Sequence, residues 1–329
     1  MNSLPSIGIV SIGAYAPPDV LTNFDLEKIV DTSDEWIRTR SGISTRHISG
    51  ADCATSDLSI QAARLALERA ELAPQDLDLI VVATITPDYP LPSTACILQH
   101  RLGAEHAAAF DLSAACTGFI YALSMASAQL QTGQFRNALI IGAESLSKVT
   151  DYTDRGTCVL LGDGAGAVIL KQVPEGRGFL SSYLRADGGG MECLIIPAGG
   201  SRCPASIETT NNRMHYIRMN GSEVFKFAVR VVEEAVITAL DRAGLTTADV
   251  TLMVPHQANS RIIDAAAKRL AIPAERWANN IAEYGNTSAA SIPMALNECY
   301  EAGRLHEGDV IVLVGFGGGL TWGATVLRW

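Results

Sequence analysis

Among its 7 cysteines the sequence has no C-x-x-C pair, and its 6 histidines form no H-E-x-x-H or other metal-ligand spacing, so neither a zinc site nor a disulfide framework is indicated. The thiols read as reduced, which places the protein in the cytoplasm. No apolar run reaches bilayer length, which argues against a membrane partner. Basic residues are in deficit: 25 Lys and Arg against 35 Asp and Glu leave a formal net charge of -10, and a reader of nucleic-acid backbones needs the opposite balance. The segment Met1 to Pro18 carries no basic leader, and Gly8, Gly13 and Pro17-Pro18 break its apolar stretch, unlike a signal peptide. Asn286-Thr287-Ser288 fits the glycosylation acceptor pattern, but that chemistry requires secretion, so the asparagine needs another explanation.

What the chain does have is core-forming material. Hydrophobic residues make up 48% of the 329 positions and charged ones 18%, enough for two domains or one duplicated fold. Internal similarity favours duplication. Ala66 to Val81 is echoed without a gap by Ala239 to Val254, half of the positions being identical. Each copy reads as the end of an amphipathic helix, a polar turn and a buried strand. Ser113-Ala-Ala-Cys116 recurs as Ser288-Ala-Ala-Ser291, and Gly162 to Leu170 shares its spacing with Gly319 to Leu327. The reading is therefore an α/β protein of two similar halves, residues 1–178 and 179–329, with nearly continuous apolar strands such as Leu79 to Ala83, Ala138 to Gly142 and Val310 to Gly315 in sheets covered on both faces. The glycine-rich, polar stretch from Gly178 to Met219 reads as an extended connection or a covering element.

Three polar residues fall where such strands end. Cys116 lies between the strand of Ala107 to Leu112 and a helix, Thr117 to Gln131, that is small or apolar on almost every side. Free N–H groups at a helix start favour a thiolate, although a free cysteine is more often a small core residue. His256 follows the strand Val250 to Val254, and Asn286 sits in a turn before the helix Ala289 to Glu301, where it could equally be a cap. Ligands bind beyond the carboxyl ends of strands in open α/β sheets, and the three junctions face one cleft if the halves pack symmetrically. Gly317-Gly-Gly319 reads either as a tight turn or as a set of unobstructed N–H donors for an oxyanion. Gly162-Asp-Gly-Ala-Gly-Ala167 matches a dinucleotide fingerprint, but the following Val-Ile-Leu reads as a strand, so a nicotinamide nucleotide is rejected. Arg261, Lys268 and Arg269 cluster on one helix face, a basic patch in an acidic protein that is either a solvated face or a dock for an acidic partner.

With Cys116, His256 and Asn286 assembled, the sequence resembles the β-ketoacyl-acyl-carrier-protein synthase III family of thiolase-superfamily condensing enzymes along essentially its whole length. The motifs that carry the resemblance are Thr32-Ser-Asp-Glu-Trp-Ile-Arg-Thr-Arg-Ser-Gly-Ile43, Ala115-Cys-Thr-Gly118, Asp154-Arg-Gly156, His256-Gln-Ala-Asn259, Gly285-Asn-Thr-Ser288 and Gly317-Gly-Gly-Leu-Thr-Trp-Gly323. The resemblance implies a thiolase-like five-layered αβαβα fold and a homodimer. It implies that Cys116 takes an acyl group from acyl-CoA, with the N–H groups of Cys116 and Gly318 as oxyanion hole, and that His256 and Asn286 hold the thioester carbonyl of malonyl-acyl carrier protein during decarboxylation. The product is a β-ketoacyl-acyl carrier protein that starts fatty acid biosynthesis; CoA thioester is a substrate and no cofactor or metal is involved. Thr32, Trp36, Arg40, Arg155 and Asn259 are assigned to CoA by the same likeness, and Lys226, Arg261, Lys268 and Arg269 to the carrier protein. Leu91 stands where acetyl-selective members carry a phenylalanine that crosses the dimer interface to close the acyl pocket, which implies room for a longer or branched primer. The competing readings are a Cys-His-Asn condensing enzyme of secondary metabolism, a thioester hydrolase and a non-catalytic acyl-binding subunit.

Overall fold

The computed structural model describes residues 4–329. Two sheets carry the fold. The first contains Ile7–Tyr15 (β1), Leu79–Ala83 (β2), Ala108–Leu112 (β3), Asn137–Glu144 (β4) and Gly164–Gln172 (β5), in the spatial order β1, β5, β4, β2, β3. The second contains Gly178–Ala186 (β6), Leu252–Pro255 (β7), Val310–Gly317 (β8) and Thr321–Arg328 (β9), in the order β6, β9, β8, β7. In both sheets the first two pairings are antiparallel and the third is parallel. Where the first sheet adds β3, the second adds only a parallel bridge from Met253 to Trp277, with Ala278 N–H donating to the Met253 carbonyl at 2.8 Å.

Helices cover every sheet face but one edge. The relevant ones are Asp34–Ser41 (α1), Thr55–Arg69 (α2), Thr94–Leu102 (α3), Gly118–Gln131 (α4), Gly221–Arg242 (α5), Ser260–Leu270 (α6) and Ser291–Glu301 (α7). Helices α2 and α3 pack on the outer face of the first sheet, α5 and α6 on the outer face of the second. Between the sheets lie α4 and α7, whose Phe119, Ile120, Leu123, Ile292 and Leu296 share one core with Val81, Ile140, Val254 and Leu313. The result is five layers, αβαβα. Strands β2, β4 and β8 are buried at every position, which is why their sequences are apolar without alternation. At about 25 cal/mol per Å² of apolar area, burial in these three inter-layer cores is a major source of stability.

Two sequence expectations are corrected. Gly178 to Ala186 is not a connection but the edge strand β6, paired with β9 along its length; Ser181 and Ser182 between two apolar pairs break any strand alternation and hide it among polar residues. The remainder, from Asp187 to Met219, does form a covering segment of short turns and two small strands. The echo of Ser113–Cys116 in Ser288–Ser291 is out by two residues. The equivalent 3-10 turns are Ala115–Thr117 and Ser288–Ala290, each opening with a left-handed residue, Ala115 at φ 46° and Ser288 at φ 48°. The sheet contacts agree: a Cβ on Gly142 of β4 would stand 2.2 Å from the Ala289 carbonyl oxygen, and one on Gly315 of β8 would stand 3.5 Å from that of Cys116. Cys116 thus corresponds to Ala289, and the duplicated fold carries its thiol in one copy only.

Candidate active site

The chain leaves β3, turns left-handed at Ala115 and places Cys116 in the short turn before α4. A β-carbon on Gly317 would come within 2.8 Å of the Cys116 nitrogen, so the end of β8 can press against the cysteine only as glycine. Cys116 forms part of the wall between two cavities. The larger, about 480 Å³, is apolar and bounded by Ile85, Leu146, Leu161, Leu194, Ile196 and Ile217. The smaller, about 180 Å³, runs from Cys116, His256 and Asn286 past Phe225 and Asn259 to the exposed Gly156. The three residues therefore meet, as the sequence leads one to expect, although Asn286 follows the short helix Ile281–Tyr284 and not a strand.

His256 follows β7 and is buried, its ring edge-on to Phe316 at 5.3 Å between centroids. Its Nδ1 lies 2.7 Å from Ser291 Oγ, which itself accepts a longer contact, 3.4 Å, from the Gln257 N–H. When the Ser291 hydroxyl donates to Nδ1, the imidazole carries its hydrogen on Nε2. Burial lowers the His256 pKa to about 3, so the ring is neutral. Asn286 accepts the Ser288 N–H on Oδ1 at 2.9 Å, leaving its amide N–H₂ for the cavity it borders. The site thus presents two neutral donors beside a sulfur.

The thiol departs from the sequence expectation. Burial pushes Cys116 up to about 12, and the nearby Glu144 carboxylate adds in the same direction, against the smaller opposing pulls of the Ser288 hydroxyl and its own N–H. In the ligand-free site it is a thiol: desolvation outweighs the helix start. Among the described residues the backbone N–H groups of Cys116 and Gly318 donate to no protein acceptor, and Gly318 borders the larger cavity. Gly317 ends β8, and Gly318 and Gly319 lie in the turn joining it to β9, which is the tight-turn reading of that motif. No group of three or more His, Cys, Asp or Glu among the described residues is placed to hold a metal ion, and no described helix is long and apolar enough to cross a membrane.

Residues 110–188 match the family described as 3-oxoacyl-[acyl-carrier-protein] synthase III, and residues 240–329 match its C-terminal region. The β-ketoacyl-[acyl-carrier-protein] synthase III of Desulfitobacterium hafniense (strain Y51) is 57% identical over 324 residues, covering 98% of each chain. The chain belongs to the β-ketoacyl-acyl-carrier-protein synthase III family. Crystal structures of 3-oxoacyl-[acyl-carrier-protein] synthase III from Aquifex aeolicus (48% identity, TM-score 0.91, covering 98% of this chain and 100% of that one) and of the corresponding synthase III from Thermus thermophilus (49%, 0.92, 98% and 99%) share its fold. It is an acyl-transferring condensing enzyme of the thiolase fold.

Around the channel mouth of this synthase III family member, the Arg155 guanidinium lies over the Trp36 ring of α1, 5.3 Å from its centroid, and Arg155 also donates to the Asp31 carbonyl at 2.8 Å. Thr32 Oγ1 is buried without a partner. Asn259 caps α6 by accepting the Arg261 N–H, and donates to the Arg40 carbonyl at 2.9 Å, so one N–H and one lone pair stay free toward the channel. Arg261 covers Phe225 at 5.4 Å, Lys226 pairs with Glu223 and Arg269 with Glu233, whereas Lys268 is exposed and, among the described residues, unpaired. Leu91 is 86% exposed and borders neither of this chain's two site cavities. Glu144, Ser288 and Ser291 escaped the sequence reading. A lone acid ending the otherwise apolar Asn137–Glu144 was the one available signal.

Proposed function

We propose that this enzyme condenses an acyl-CoA primer with malonyl-acyl carrier protein, releasing CoA and CO₂ and giving a β-ketoacyl-acyl carrier protein that begins fatty acid synthesis. The observation that carries it is the meeting of Cys116, His256 and Asn286 at the wall between an apolar cavity and a channel to the surface. Cys116 attacks the primer thioester, and the free N–H groups of Cys116 and Gly318 take the developing oxyanion. After CoA leaves, the Nε2–H of His256 and the amide of Asn286 donate to the malonyl thioester carbonyl. Both donors are neutral, so they stabilise the enolate as CO₂ departs without protonating it. The enolate carbon attacks the acyl-Cys116 carbon, and the sulfur is released.

The 480 Å³ cavity suits an acyl chain longer than acetyl, or a branched one. Adenine enters between Trp36 and Arg155, with Thr32 and Arg40 toward the nucleotide and Asn259 toward the pantetheine arm. Lys268, with Lys226, Arg261 and Arg269, receives the acidic carrier protein. We assign the enzyme to the cytoplasm as a homodimer formed through β3, an outer strand of the first sheet whose Phe110 is exposed beside Met125 of α4. This interface sends Leu91 toward the partner's pocket.

Intact-protein mass after brief exposure to acyl-CoAs from acetyl to decanoyl and branched, without acceptor, tests the reading. One acyl adduct, absent in Cys116→Ser and discharged only by malonyl-acyl carrier protein, is the expected result. No adduct from any acyl-CoA overturns it, and discharge by water alone makes the protein a hydrolase.

A further inference from the structure

We infer, on the basis of the Cys116 acylation proposed above, that Ser288 and Glu144 form a buried proton route behind the thiol, which removes its proton as the acyl group arrives and returns it as the acyl group leaves. Glu144 ends β4 completely buried, and among the described residues no cation pairs with it. Its Oε2 accepts from Thr86 Oγ1 at 2.6 Å, Thr84 Oγ1 at 3.1 Å and the Ile85 N–H at 3.1 Å, while Oε1 has only the longer Ile85 contact of 3.3 Å. One carboxylate oxygen is therefore nearly free.

The Ser288 hydroxyl stands beside both this carboxyl and the Cys116 thiol. It is buried and closes a hydrogen bond of ordinary geometry to neither. An orphaned buried hydroxyl is costly, and here it sits between a group that must lose a proton and a group that can hold one. Its backbone is fixed: φ at Ser288 is left-handed and its N–H is committed to Asn286. Burial raises the Glu144 carboxyl to about 7, so both of its protonation states are accessible near neutrality. Cys116 is the titratable group that faces it; its other neighbours are the hydroxyls and the N–H already named.

The steps balance. The Cys116 S–H proton moves to Ser288 Oγ as the Ser288 proton moves to Glu144; the S–C(acyl) bond forms, the thioester C–S bond breaks, and CoA leaves as a thiolate that takes a solvent proton. When the enolate displaces the acyl group, Cys116 departs as thiolate and recovers its proton from Glu144 through Ser288. Sulfur and carboxylate never carry charge together, as two buried anions in contact cannot both persist: the one negative charge leaves with CoA, the acyl-enzyme pair is neutral, and the charge returns with the enolate.

The test is iodoacetamide alkylation of Cys116, mapped by peptide mass because Cys96 is exposed, from neutral to alkaline pH in wild type, Ser288→Ala, Glu144→Gln and the double variant. Each single variant is expected to slow alkylation about 100-fold at neutral pH and to approach wild type in alkali, where hydroxide takes the proton directly. The double variant should be no slower than either single one, because the two residues act in series. Superimposable pH profiles overturn the route. So does faster alkylation in Glu144→Gln, the result for a carboxylate that merely repels a thiolate. Thermal melting establishes that each variant folds. Alkylation needs neither primer nor carrier protein, so a wild type that alkylates through this route yet takes no acyl group overturns the condensing assignment alone.

Discussion

Ser291 Oγ and His256 Nδ1 are 2.7 Å apart, and this contact decides which face of the imidazole carries the proton. With Nδ1 accepting, Nε2 is a donor. Ser291→Ala removes that bias and should slow the malonyl-dependent step about tenfold, the worth of one buried hydrogen bond. Acyl loading of Cys116 should be unchanged, since His256 acts after it. Single-turnover measurement of each half-reaction checks the split; equal slowing of both would contradict it.

Arg155 lies on Trp36, at the proposed adenine site. To admit a purine it must lift and then cover the other face. Arg155→Ala should raise KM for acyl-CoA about tenfold with kcat retained, the size of one cation–π contact. Steady-state kinetics on CoA thioesters checks this.

Leu91 is exposed on the single chain, and in the proposed homodimer it would face the partner's pocket. Leu91→Phe should shift preference toward acetyl-CoA, by about tenfold relative to a branched primer. Competitive loading followed by mass spectrometry is the measurement. Unchanged relative rates would return Leu91 to the surface.

Glu144 holds its proton more tightly when folded, with a pKa raised from 4.5 to about 7 by burial. Its contribution to stability is complete below 4.5 and is lost as pH rises through 7, where a buried carboxylate must form. Glu144→Gln keeps the shape without that charge. Its melting temperature should gain on the wild type as pH climbs through that window and level off above it. Parallel curves would show that the carboxyl is not desolvated.

Gly142 and Gly315 occupy equivalent places in the two sheets but face unequal space. A Cβ at Gly142 meets a carbonyl oxygen at 2.2 Å, whereas at Gly315 the nearest atoms are 3.3 and 3.4 Å away. Gly142→Ala should cost at least about 3 kcal/mol, and Gly315→Ala far less. Chemical denaturation compares them.

The layers were legible because β2, β4 and β8 are continuous apolar runs and because the Ala66–Val81 echo survives in sequence. Strand β6 was hidden, since this mostly half-buried edge sets Ser181 and Ser182 between apolar pairs and so lacks the alternation that marks a strand. Cys116 and His256 follow strands, Asn286 follows a short helix, and all three stand in dense local motifs, so they could be found one at a time. Glu144 meets Ser288 only through packing across the two halves, and Ser291 meets His256 only through the fold of the second. Their roles reside in which atom is left without a partner, and spacing along a chain does not encode that. The misplaced Ser288–Ser291 echo has the same root: Ala-Ala pairs match in sequence at a register that the left-handed turns forbid.

The narrow passage beside Phe225 and Asn259 reaches the sulfur from the surface, and it holds about 180 Å³. In the proposed reaction both substrates would thread a pantetheine arm through it. The primer's carrier must therefore vacate the corridor before the extender's carrier arrives, so the two substrates queue for one door. An excess of either then locks out the other: abundant acyl-CoA should stall a loaded enzyme, and abundant malonyl-acyl carrier protein an empty one. The rate at which new chains begin would follow the ratio of the two pools more closely than the size of either.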